Sequence, residues 1–86
     1  MPATALNSSQ VTDILREIAR EYHELGPGYA QDTVVLREAA HRLRVRDLHD
    51  AQLVLKCWQD LFRQGELVWG YDLDTPTAPF FHVPRT

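Results

Sequence analysis

The sequence predicts an α+β fold, mainly α, with three helices followed by a β-hairpin. Three observations predict it. Apolar residues recur at helical spacing in three successive segments between Val11 and Phe62. Turn-forming residues separate those segments, and after Gly65 the pattern changes to the alternation of a strand.

The first helix is expected to start at Ser8 or Ser9, either of which offers a hydroxyl N-cap. Val11, Ile14, Leu15, Ile18, Tyr22 and Leu25 then form one apolar stripe, with Arg16, Glu17, Arg20, Glu21 and Glu24 opposite. Gly26-Pro27-Gly28 stops it, since glycine accepts a left-handed backbone and proline cannot continue a helix. Asp32 to Val35 reads either as a short β-bridge or as the start of the second helix. Leu36, Ala39, Ala40 and Leu43 give that helix its apolar face, and Arg44-Val45-Arg46 is the turn. Asp47 is the expected cap of the third helix, in which Ala51, Val54, Leu55, Trp58, Leu61 and Phe62 share one face. Gly65 closes it. Glu66 to Tyr71 reads as a strand with Leu67, Trp69 and Tyr71 on one side, and Phe80 to Val83 as its return. Asp72 to Pro79 is expected to be a long loop, on its two prolines, two aspartates and two threonines.

A length of 86 residues accommodates one domain, here residues 8–86, preceded by a loose arm over residues 1–7. With 44% hydrophobic and 24% charged residues the chain has the composition of a folded domain rather than a disordered one. Its size leaves little room for a deep catalytic pocket. Cys57 is the single cysteine, which excludes an internal disulfide and a cysteine-based zinc cage. Met1 to Leu6 lacks the basic residue and apolar run of a secretory signal, and no stretch is long and apolar enough for a membrane span. The expected setting is a reducing cytoplasm, with no membrane partner.

The net charge is −3, and it is unevenly spread. Residues 1–33 hold Arg16 and Arg20 against five carboxylates, and residues 64–86 hold Arg85 against Glu66, Asp72 and Asp74. Only the middle third is basic, with Arg37, Arg42, Arg44, Arg46, Lys56 and Arg63 against four carboxylates.

Leu36-Arg37-Glu38-Ala39-Ala40-His41-Arg42-Leu43-Arg44-Val45 looks like a positioning helix running into a turn. Leu55, Trp58, Leu61-Phe62 and Gly65-Glu66-Leu67-Val68 look like the end of a recognition helix entering a wing. Over roughly Val11 to Val83 the chain thereby resembles the winged helix-turn-helix superfamily. That resemblance implies a third helix seated in the DNA major groove and a wing along the backbone or minor groove. The same fold also serves protein–protein contact, so it does not decide function.

On the expected solvent face of the third helix lie His49, Gln52, Leu53, Lys56, Asp60 and Arg63. Gln52 suits a bidentate contact to adenine, His49 a base edge or phosphate, and Arg42, Arg44 and Arg46 around the turn suit phosphates. The plainer reading makes these ordinary solvated charges. Asp47 and Asp50 at the helix start, Asp72 and Asp74 in the wing and the acidic total all oppose tight DNA binding. Asp47 also reads as a cap, which removes part of that objection. Leu53, Cys57 and Tyr29 are the residues expected to serve a homodimer or partner-protein surface, with burial in the core as their plainer alternative.

No catalytic constellation emerges. His23, His41, His49 and His82 have no i,i+4 pairing or metal-ligand spacing. Asp72-Leu73-Asp74-Thr75 lacks the glycine and distal glutamate of a calcium loop. Gly26 and Gly28 lack the following lysine and serine or threonine of a phosphate-binding loop. The expectation is a non-enzymatic DNA-binding regulator or accessory subunit without cofactor, metal or small-molecule substrate. Its alternative is a protein-interaction or dimerisation module of the same fold.

Overall fold

The computed structural model describes residues 6–26, 28–72 and 75–83. Three helices, α1 (Ser8–Leu25), α2 (Asp32–Arg42) and α3 (Leu48–Arg63), precede two antiparallel strands, β1 (Val68–Asp72) and β2 (Thr75–His82). The domain is therefore a small, mainly helical α+β fold.

α1 starts as expected but with a different cap. Asn7 takes the extended conformation, and its Oδ1 accepts from the Gln10 amide at 2.8 Å, while Ser8 and Ser9 lie inside the helix. The reason lies one residue further back. Leu6 is half-buried against the core and Val11 is buried, the N′ and N4 positions of a hydrophobic staple, which places the cap at Asn7. Leu6 and Asn7, expected in the arm, thus belong to the folded part. Val11, Leu15, Ile18 and Ala19 form the buried face. Leu25, expected on that stripe, is 59% exposed, because the helix reverses at Gly26 (φ 115°) immediately after it.

The segment Asp32 to Val35 is helical, with Val35 fully buried, which decides between its two readings. A strand-like contact does exist just before it. The Phe81 amide donates to the Ala30 carbonyl at 2.9 Å, linking the hairpin to the connection between α1 and α2.

α2 and α3 end in the same backbone motif with different residues. After α3, Gly65 takes φ 82°, its amide donates to Phe62 O, and the Glu66 amide donates to Leu61 O at 2.9 Å. After α2, the Arg44 amide donates to His41 O at 3.3 Å and the Val45 amide to Ala40 O at 3.0 Å. Both are Schellman turns, which require a left-handed residue just beyond the helix. Arg44 meets that requirement at φ 53° without being glycine. A side chain there costs about 1 kcal/mol or more relative to glycine.

Asp47 caps α3 as expected, accepting from the Asp50 amide at 2.9 Å. The buried face is rotated from the expected one. Val54, Cys57, Trp58 and Leu61 are buried and Leu53 is half-buried, whereas Ala51 is exposed and Leu55 is 44% exposed. The apolar arc of this helix is wider than its neighbours cover, so one edge of the arc stays in solvent. Cys57 takes the inner position as a small hydrophobe.

The hairpin is anchored by aromatic rings. Trp58 stands edge-on to Phe62 and Phe81, with centroids 5.0 and 5.3 Å away, and Phe62 stacks on Trp69 at 4.2 Å. Register pairs Val68 with His82, Trp69 with Phe81 and Gly70 with Phe80, then shifts before Asp72 meets Thr75. A Cβ at position 70 would collide with the His82 ring, so the tight cross-strand approach accounts for Gly70. The long loop expected over Asp72 to Pro79 is instead mostly strand, since Thr75 to Pro79 belong to β2. Proline is compatible with a two-stranded ribbon, where one edge of each strand needs no amide donor. Pro27, Leu73, Asp74 and the side chains of Tyr71, Asp72 and Thr75 to Pro79 lie outside the described residues, and with them the expectations placed there.

Candidate nucleic-acid interface

Helical geometry sets the outward face of α3. At 100° per residue, Gln52, Lys56, Gln59 and Arg63 lie opposite Val54, Cys57 and Leu61, with His49 on one flank. All five are exposed. Asp50 and Asp60 are half-buried towards the sides of the helix, and Asp47 is used as the cap. The carboxylates that opposed DNA contact in the sequence are therefore off the centre of this face. Arg63, with its side chain 76% accessible, meets Asp60 at 3.1 Å, a pair that solvent weakens.

At the turn, Ala40, His41, Arg42, Arg44, Val45 and Arg46 line one open depression. The three arginines differ in what their guanidinium groups do. Arg42 donates from Nε to Glu38 at 2.7 Å and from Nη2 to Glu21 at 3.0 Å, tying α2 to α1. The hydrogen bonds to Glu38 and then Glu21 push its pKa above the ordinary arginine value, against the opposing effect of burial. Arg42 is thus a strut between helices, with its guanidinium already engaged by two carboxylates. Arg44 and Arg46 are exposed and form no ion pair among the described residues.

Of the three residues expected on a protein-binding surface, two pack against the core, as their plainer alternative had it. Cys57 is 3% exposed, with its Sγ 3.7 Å from the Ser8 carbonyl oxygen, and Leu53 packs partly against the core. Both point inward because the buried arc of α3 is centred nearer to Cys57 than to Leu55. Tyr29 remains outside at 53% exposure, its ring edge-on to Tyr22 at 6.2 Å. The exposed apolar residues of α3 are instead Leu48, at 73%, and Leu55. Leu48 escaped the sequence reading because it is the first helical residue and precedes the apolar stripe. Leu55 was misplaced because its i,i+4 spacing from Ala51 suggested burial.

Comparison with protein-family models, curated proteins and solved structures finds no match to this chain. Among the described residues, no group of three or more His, Cys, Asp or Glu side chains gathers to hold a metal, and no helix is long and apolar enough to cross a membrane. A cavity of about 350 Å³ lies between α1 and the base of the hairpin, bordered by Arg16, Arg20, Gln64 and Glu66. Arg16 is occupied there, since Nε and Nη2 donate to both oxygens of Glu66 at 3.0 and 2.9 Å. The Glu66 hydrogen bond is the main cause of its raised pKa. This bidentate pair joins α1 to the α3–β1 junction and is structural.

Proposed function

We propose that the chain is a non-catalytic winged-helix module that binds double-stranded DNA, as a transcriptional regulator or an accessory subunit in a reducing cytoplasm. α3 enters the major groove, and Arg44 and Arg46 meet phosphates at its entrance. The observation that carries this reading is Arg44. A glycine would close the α2 turn at lower cost, yet a long exposed cation occupies the strained position beside the one helix whose outward face is cationic and amide-bearing. Strain retained at an exposed cation points to use of that cation.

The interface comprises Arg44, Arg46, Lys56 and Arg63 as cations and His49 and Gln52 as polar contacts, with Arg42 excluded. Three to four phosphate contacts imply a logarithmic salt slope of about −3 for labelled random duplex DNA, read by fluorescence anisotropy at low and moderate salt. Binding that weakens on this scale supports the reading. No binding even at low salt overturns it, in favour of the protein-interaction alternative for which the exposed Leu48 and Leu55 speak.

A further inference from the structure

Leu48, Gln52 and Leu55 occupy one edge-to-centre strip of the outward face of α3, at i, i+4 and i+7. Leu48 is 73% and Leu55 44% exposed, and Gln52 stands between them in solvent. Lys56 and His49 lie on the other flank of Gln52, and Arg63 lies on the same face as Gln52 about three turns further on. An amide between two apolar side chains, with cations along one border, has a definite complement in the major groove. Adenine offers N7 as acceptor and N6 as donor, which one glutamine amide satisfies together, and thymine offers a methyl group. Guanine and cytosine offer no apolar group there.

Resting on the DNA-binding reading above, we infer that this strip selects A·T base pairs, with Gln52 on adenine and Leu48 and Leu55 on thymine methyl groups. Leu48 to Leu55 spans about 10.5 Å of helix axis. At about 3.4 Å per base pair this covers about three steps, so the three side chains meet neighbouring pairs rather than one. Each methyl group removed from water is worth about 0.8 kcal/mol, roughly a fourfold change in affinity. A bidentate glutamine–adenine contact discriminates by about fivefold or more. Phosphate contacts at Arg44 and Arg46 are indifferent to sequence, so selectivity and salt slope separate.

The test compares three duplexes of about 20 base pairs by anisotropy at fixed salt. They are an alternating A·T duplex, the same duplex with deoxyuridine for thymidine, and an alternating G·C duplex. Deoxyuridine removes the methyl group and leaves the pairing edges intact. Affinity should fall about fourfold or more from the first to the second and further to the third. The double variant Leu48→Ala, Leu55→Ala should lose the first difference and keep the salt slope, while Gln52→Ala should lose most of the second. All three positions are exposed and alanine favours helix, so folding is preserved and is checked by circular dichroism. Equal, salt-sensitive affinity of the native chain for all three duplexes overturns the inference and leaves the DNA reading standing. Absence of binding to any duplex overturns both. Self-association that the double leucine variant abolishes also overturns the inference, by assigning the strip to a second copy of the chain.

Discussion

Trp58→Ala is expected to cost about 3–5 kcal/mol of stability, the largest loss for any single side chain in this domain. A domain of this size holds on the order of 4–13 kcal/mol in all, so the variant should lose between about a quarter of its stability and all of it. The indole is 2% exposed and is the meeting point of Phe62 and Phe81, hence of α3 and β2. Its removal opens a cavity that rigid neighbours on two elements cannot fill. One component acts in the opposite direction. Trp58 Nε1 is buried without a hydrogen-bond partner among the described residues, and that unsatisfied donor already subtracts about 1–3 kcal/mol. Trp58→Phe, which removes the donor and keeps an aromatic ring, should therefore lose much less. Urea unfolding followed by circular dichroism at 222 nm measures both variants. An alanine variant within about 1 kcal/mol of the native chain would show that the hairpin is held by something other than this ring.

Arg44→Ala combined with Arg46→Ala should flatten the salt dependence of DNA binding by about two units and weaken binding equally across sequences. The fold should be unaffected, since both side chains are exposed and neither is in an ion pair among the described residues. Alanine does not relieve the left-handed backbone at position 44, so the turn keeps its strain. Arg44→Gly separates the two properties. It should stabilise the protein by about 1 kcal/mol through relief of that strain while removing one phosphate contact. Opposite signs for stability and affinity in one variant are difficult to produce unless the cation is there for binding. Unchanged DNA affinity in the double variant would remove the turn from the interface.

The order and type of the elements were legible in the sequence because their signals are local. The α1 stripe, the Asp47 cap and the Gly65 stop each depend on a few neighbouring residues and a fixed geometry. What was missed depends on tertiary packing. The edge of the apolar arc of α3 left in solvent is decided by where α1 and the hairpin lie, so Leu55 and Cys57 exchanged roles. Arg42 read as a surface cation because its partner Glu21 is 21 residues away in sequence. The Schellman turn after α2 carried no signal at all, since Arg44 stands where glycine would have announced it. The strand through Pro76 and Pro79 was hidden by residues whose usual place is a loop, and only pairing across a two-stranded ribbon makes them admissible.

The Phe81–Ala30 hydrogen bond makes one amide of the hairpin a probe of the whole domain. Phe81 sits in the core at 0% exposure, and its amide closes a ring of chain running from the end of α1 to β2. Exchange of that proton is expected to need opening of the core, so its free energy, read by native-state hydrogen exchange, should approach the global stability. Beyond Phe80 the ribbon has no further backbone bond to the helices among the described residues. The base of the hairpin is thus fixed to the connection between α1 and α2 at this bond.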